Sequence, residues 1–194
     1  MRRRVDARLV ILGGDKSSAE QMAHRQELQN LATELGVGED IALPGYQRDP
    51  HTFLRAARVF VLSSNFEGFG NVLVEALLEG CPVVSTDCPS GPSEILENGR
   101  YGKLVPVKDV ARLSEAILDS LASEPDSDML RQRGREFSLE RAVEGYHRIF
   151  FGESPACLPG EPDLSSSVKS SSYATRQANG SHRMIHSSLG RVII

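Results

Sequence analysis

From Arg8 onward, short apolar runs rich in β-branched residues alternate with longer stretches of helical period. Such a rhythm builds a parallel sheet covered by helices on both faces. Leu9-Val10-Ile11-Leu12 reads as a buried strand that ends at Gly13-Gly14. Ser17 and Ser18, each followed three residues on by Glu20 or Gln21, open a helix as capping boxes do. Its Leu28, Leu31, Ala32 and Leu35 fall at helical spacing, and Gly36 stops it. Ile41-Ala42-Leu43 predicts the next strand, Pro44-Gly45-Tyr46 a turn, and residues 52–57 a short helix. Val59-Phe60-Val61-Leu62 is the most apolar strand of all.

A loop over residues 63–70 follows, then a helix over 71–79 broken by Gly80, and the strand Pro82-Val83-Val84-Ser85-Thr86. Residues 88–91 form another loop, and Pro92 takes a first-turn position in a short helix ending near Gly99. Residues 103–107 predict the last strand. Asp109 caps a helix carrying Val110, Leu113, Ile117 and Leu121, and Ser138 caps another with Leu139, Ala142, Val143, Tyr146 and Ile149 on one stripe. The packed domain is therefore expected over residues 8–151. The pattern collapses beyond Gly152 into a serine-rich, aperiodic stretch, and a disordered tail is expected over 152–194.

Composition narrows the class. With 40% hydrophobic and 25% charged residues in 194, the chain holds enough apolar material for one sizeable core. A net charge of -4 argues against a broad nucleic-acid surface, so any anionic ligand must be held locally. Cys81, Cys88 and Cys157 show neither a C-x-x-C spacing nor a histidine at metal-ligand distance, which fits a reducing compartment and no zinc site. The basic start Met1-Arg2-Arg3-Arg4 resembles a leader, but the apolar stretch behind it is too short for a signal peptide or a membrane span.

The chemistry concentrates in Ser63-Ser64-Asn65-Phe66-Glu67-Gly68-Phe69-Gly70-Asn71-Val72-Leu73-Val74-Glu75-Ala76. This segment leaves the most buried strand at the carboxyl edge of the sheet, where open α/β folds bind ligands. Gly68 and Gly70 let backbone approach a bound group, and the helix opening at Asn71 offers N–H groups and a positive dipole end to a phosphate. Glu75 lies one turn in among apolar neighbours and leans back toward that anion site, where a ribose would meet it. Glu67 would meet the group beyond the phosphate. Physics alone leaves a second reading open, in which the glycines merely make a tight turn and Glu75 pairs with a basic neighbour.

Glu67-Gly68-Phe69-Gly70 with Glu75 is similar to the E-x7-E signature of the retaining GT-B glycosyltransferases of the glycogen-synthase-like group, family 4. The resemblance extends to the Ala56-Ala57-Arg58 and Val59-to-Ser64 run, to Gly80-Cys81-Pro82-Val83-Val84-Ser85-Thr86-Asp87, and to Glu94-Ile95-Leu96, Asn98-Gly99, Gly102 and Leu104-Val105. It implies a Rossmann-like domain, the C-terminal, donor-binding half of a GT-B fold, here truncated at its N-terminus. It also implies transfer of a hexose from a nucleotide-diphosphate sugar, a UDP- or GDP-sugar, to a glycan or lipid-linked acceptor with retention of configuration. No separate cofactor and no bound metal is needed in that chemistry, because the helix dipole and basic groups neutralise the leaving diphosphate.

By the same resemblance Glu67 is the catalytic carboxylate at the donor sugar, Gly68, Phe69, Gly70, Asn71 and Val72 face the diphosphate, and Glu75 binds the ribose. The strand-end segment Leu43 to Tyr46, Gly45 and Tyr46 foremost, borders the base. Gly13-Gly14, read from the residues themselves, either approaches the ligand or simply makes a two-glycine turn after the strand. Family members carry a further strand and helix before this domain, with an arginine and a lysine for the diphosphate, and before those an acceptor-binding domain. Neither has a counterpart here, so the chain alone is expected to be inactive or weakly active, and Leu9 to Leu12 or a neighbouring strand to be left as an uncovered apolar edge. The alternative is a truncated, non-catalytic nucleotide-sugar-binding module. A cytoplasmic place follows from the resemblance, with peripheral contact to the inner membrane face made through the missing half. His24 and His51 sit on exposed helix positions without a triad, Cys81 is read as a small packing residue, and Glu79 and Glu97 as solvent-facing.

Overall fold

The computed structural model describes residues 6–13, 19–152 and 191–193. The chain divides into two units, one of residues 1–137 with 187–194 and one of residues 138–186. In the first, the strands are β1 (Leu9–Leu12), β2 (Ile41–Gly45), β3 (Phe60–Leu62), β4 (Val83–Thr86), β5 (Lys103–Val105) and β6 (Arg191–Ile193). Its helices are α1 (Ala19–Glu34), α2 (His51–Ala56), α3 (Asn71–Leu78), α4 (Pro92–Ile95), α5 (Val110–Ala122) and α6 (Ser127–Arg135). The second unit contributes α7 (Leu139–Phe151).

The strands form one sheet in the order β2-β1-β6-β3-β4-β5. β1 with β2, β3 with β4 and β4 with β5 run parallel, as the alternating pattern predicts. Because side chains alternate across a strand, β3 feeds two cores at once. Phe60 and Leu62 join Leu54 of α2, Leu73, Ala76 and Leu77 of α3, Val83, Ile95 and Leu130 of α6 on one face. Val59 and Val61 pack with Val84, Val105 and Ala116 of α5 on the other. Helices thus cover both faces, and the continuous apolar run of residues 59–62 is what burial on two sides demands.

Four features differ from the sequence-based expectation. Residues 153–190 and 194 of the expected tail lie outside the described residues, but Arg191–Ile193 form β6, antiparallel to both β1 and β3. The physical reason is the gap between those two strands. Each would otherwise present unpaired N–H and C=O groups, and a β-branched segment such as Val192-Ile193 can satisfy both edges at once. β1 is therefore paired on both sides rather than left as an edge.

Helix α6 has no counterpart in the periodicity analysis. Its residues are mostly polar, and only Leu130 and Gly134 are buried. Gly134 packs so closely on α3 that a Cβ there would lie 2.8 Å from the Leu78 amide nitrogen. The boundary also shifts. The first unit closes at Phe137, and α7, capped by the Ser138 hydroxyl, belongs to the second, with its Leu139, Val143, Tyr146 and Ile149 stripe exposed. Glu79 is not solvent-facing as expected. It accepts from Arg55 Nε at 2.8 Å and lies 3.1 Å from His51 Nδ1, joining α2 to the end of α3.

Candidate functional site

All parallel strands end at one edge of the sheet, and residues 63–70 leave β3 there and turn into α3. Gly70 makes the turn possible. Its φ of +91° lies in the left-handed region that side-chain-bearing residues avoid, and its carbonyl accepts from Leu73 N. No side chain caps α3. Helices α5, α6 and α7 are closed by Asp109, Asp126 and Ser138, and Asp49 accepts from the His51 amide at the start of α2. The two helices that follow the loops after β3 and β4 lack such a cap. Their first-turn N–H groups, those of Asn71 and Val72 among them, are available by position to an outside acceptor.

Two carboxylates flank this helix start in sequence. Glu67 is partly buried and accepts a 2.6 Å hydrogen bond from the Ser64 hydroxyl. Glu75 sits one turn inside α3, partly buried, with Oε2 out of contact with solvent. Gly68 and Asn71 are exposed, Val72 partly so. Phe69 is anchored by its ring, which meets Phe137 edge-on at 5.7 Å between centroids. Its carbonyl lies against Gly91, where a Cβ would be 1.7 Å from the Phe69 oxygen. Backbone thus touches backbone between the two site loops, and no side chain larger than hydrogen fits at residue 91.

The remaining predicted residues meet one another elsewhere along the same edge. Gly13 N donates to Gly45 O at 3.0 Å, joining the carboxyl ends of β1 and β2, and Tyr46 next to them is 76% exposed. Gly14 and Cys157 lie outside the described residues.

Sequence reasoning missed the groups behind Glu67. Ser64 is buried, and Thr86, also buried, donates from Oγ1 to the Ser64 carbonyl at 2.5 Å. The S-x-x-E spacing of Ser64 and Glu67 was a readable signal, but the Thr86 link crosses from β4 and was not. Burial, and next the nearby Glu67 charge, push the Cys88 thiol above its ordinary range. Burial alone takes Cys81 up to about 12, in keeping with its reading as a small packing residue. Arg133 buttresses α4, the helix that follows the second loop: it donates to the Ile95 and Glu94 carbonyls at 2.9 and 2.7 Å and stacks over Phe137 and Tyr101.

Among the described residues no group of three or more His, Cys, Asp and Glu is gathered for a metal ion, and no helix is long and apolar enough to cross a membrane.

A family model described as glycosyl transferases group 1 matches residues 1–137. The lipopolysaccharide core biosynthesis glycosyltransferase LpsE of Rhizobium meliloti (strain 1021) is 37% identical over 130 residues, covering 64% of this chain and 38% of that protein. The N-acetylgalactosamine-N,N'-diacetylbacillosaminyl-diphospho-undecaprenol 4-alpha-N-acetylgalactosaminyltransferase of Campylobacter jejuni is 32% identical over 141 residues, 73% of this chain and 36% of that protein. The chain thus spans under two fifths of either relative. Anabaena HepE, solved in complex with UDP, superposes with a TM-score of 0.62 at 21% identity, over 72% of this chain and 39% of that one. At that identity the likeness is one of fold.

Proposed function

The chain belongs to the glycosyl transferases group 1 family, and on that premise we propose that its first unit binds a nucleotide-diphosphate sugar and presents it for hexose transfer with retention of configuration. The observation that carries this reading is the uncapped, glycine-started helix α3 with a carboxylate on the loop before it and another one turn inside it. An anion at the helix start would draw on the dipole and the first-turn N–H groups, as a diphosphate requires both in the ground state and as it leaves. Glu75 would accept from the ribose hydroxyls. Glu67 would face the sugar, where negative charge counts most as positive charge develops in the transition state. Gly13, Gly45 and Tyr46 would border the base.

The solved HepE structure holds UDP, which favours UDP among the nucleotides, and the Campylobacter relative is named for an undecaprenol-linked acceptor, which favours a glycan or lipid-linked acceptor. On this reading the acceptor site and the opposite wall of the cleft belong to further protein, as the greater length of the relatives allows. The 194 residues by themselves bind donor and transfer weakly. A cytoplasmic place, with peripheral contact to the membrane's inner face through the complementary half, goes with a lipid-linked acceptor.

Ligand-observed NMR with UDP, GDP, ADP and their glucose derivatives tests the reading. Binding of at least one nucleotide is expected, with Glu75→Gln weakening the bare nucleotide by on the order of 1 to 3 kcal/mol. Glu67→Gln should spare the bare nucleotide and weaken only the nucleotide sugar. Equal weakening of the bare nucleotide by both substitutions, or no binding by the folded chain, would defeat the assignment.

A further inference from the structure

We propose that Ser64 is a positioning residue for Glu67, held in place by Thr86, and that this pair orients the carboxylate without neutralising it. The inference rests on the reading of Glu67 as the sugar-facing group. Ser64 is 1% exposed, two residues beyond the end of β3, and its hydroxyl donates to Glu67 Oε1 at 2.6 Å, within the range of a charge-assisted O–H···O⁻ bond. One hydroxyl satisfies one carboxylate oxygen and leaves the other to a ligand.

The donor is itself fixed. Thr86, at the end of β4 and 4% exposed, donates from Oγ1 to the Ser64 carbonyl at 2.5 Å. β3 and β4 are in register there, Leu62 beside Ser85, so the start of the loop is tied to the two fully buried strands of the sheet. The chain of bonds runs from a strand end, through a backbone carbonyl, to a buried side chain, to the carboxylate.

The choice of donor has a chemical consequence. Among the described residues no lysine, arginine or histidine forms an ion pair with Glu67, whereas Glu79, Glu97 and Glu136 are each paired with a cation. A guanidinium would hold Glu67 as firmly but would cancel the negative charge that a developing oxocarbenium ion needs. A hydroxyl orients the carboxylate and leaves its charge in place. The field of that charge is felt by its surroundings, since Glu67 helps to raise the thiol of buried Cys88.

Calorimetry on the full chain with UDP and UDP-glucose, or the GDP pair if the NMR screen selects it, separates positioning from mere packing. The readout is the ratio of nucleotide-sugar affinity to bare-nucleotide affinity. Ser64→Ala should reduce that ratio about tenfold while bare-nucleotide affinity changes by less than about twofold. Thr86→Val, which replaces the hydroxyl with a methyl group of similar size, should reduce it about threefold in the same way, and it carries the test if Ser64→Ala does not fold. Ser64→Thr keeps a hydroxyl and should restore most of the ratio. If Glu67→Gln lowers the ratio and neither Ser64→Ala nor Thr86→Val does, the positioning role is wrong while the reading of Glu67 stands. If Glu67→Gln leaves the ratio unchanged, the reading of Glu67 falls and the proposal with it. Equal loss of both affinities in Ser64→Ala marks a structural role and overturns the proposal.

Discussion

The sheet has a tight side and a loose side. Around β3, β4 and α3 every strand residue is buried, and Phe60, Leu73, Leu77 and Val84 have no exposure at all. On the side of β1 and β2 only Leu12 and Gly45 among the strand residues are buried, and α1 buries only Ala32 of its sixteen residues. Met22 and Leu31 of α1, and Leu35 just beyond it, stand at least half exposed. The carboxylates and the uncapped helix all lie on the tight side. The contrast teaches that preorganisation and packing travel together: a carboxylate that must keep its orientation without a counter-ion is built where the strands are buried throughout.

The sharpest challenge to that contrast is a pair of truncations. Phe60→Ala should cost about 3 to 5 kcal/mol of stability, and Leu31→Ala less than about 0.5, because only the first opens a cavity in a closed core. Urea denaturation of the two variants measures the difference, and comparable losses would mean that α1 is as well packed in solution as β3.

A second test falls on the loops of the tight side. Gly91 has a φ of +89° and no room for a Cβ beside the Phe69 carbonyl. Gly91→Ala should therefore cost about 2 to 4 kcal/mol and weaken nucleotide binding, because the two loops must separate. Retention of full stability and affinity would show that the loops are not held by this contact.

The seam between the two sides is β6, where Val192 pairs with both Ile11 and Val61. A proline there removes an N–H from an interior strand, and Val192→Pro should cost about 1 to 3 kcal/mol. Hydrogen exchange should show the loss of protection falling on β1 and β2 more than on β4. Unchanged exchange at β1 would remove β6 from the sheet.

The smallest effect is expected at the clasp between α2 and α3. The hydrogen bond from Arg55, with its charge and that of His51, holds the Glu79 carboxyl below its ordinary value of 4.5 despite some desolvation. A carboxyl lowered in the folded state contributes stability that is present above that value and fades as pH falls through the lowered one. Because Arg55 is largely exposed, the contribution of Glu79 should be only about 0.5 kcal/mol. Stability curves of the wild type and Glu79→Gln should converge in acid and separate by that amount near neutrality. Parallel curves at all pH values would mean that the clasp does not form in solution.

Much of the tight side was legible along the chain because its signals are local. The apolar run of residues 59–62, the glycines before Asn71, Pro92 at a first turn and the Asp109 cap each act within a few residues of themselves, and each appears where the pattern puts it. Helix α6 was hidden because its role needs only two inward positions, and a glycine chosen for closeness to α3 carries no helical signal. The clasp at Glu79 was read as solvated because its partners are 24 and 28 residues away.

What the sequence determined by itself was the succession of β1 to β5 with α1 to α5, and the placing of Glu67, the glycines and Glu75 around one helix start, since period, capping and chain direction are properties of short stretches. Tertiary structure alone decided that a strand from the far end of the chain closes the gap beside β3, that Gly91 lies against Phe69, and that Thr86 grips the Ser64 carbonyl behind Glu67. Those contacts join residues distant in sequence or hinge on the rotamer of a single buried hydroxyl. No local pattern encodes either.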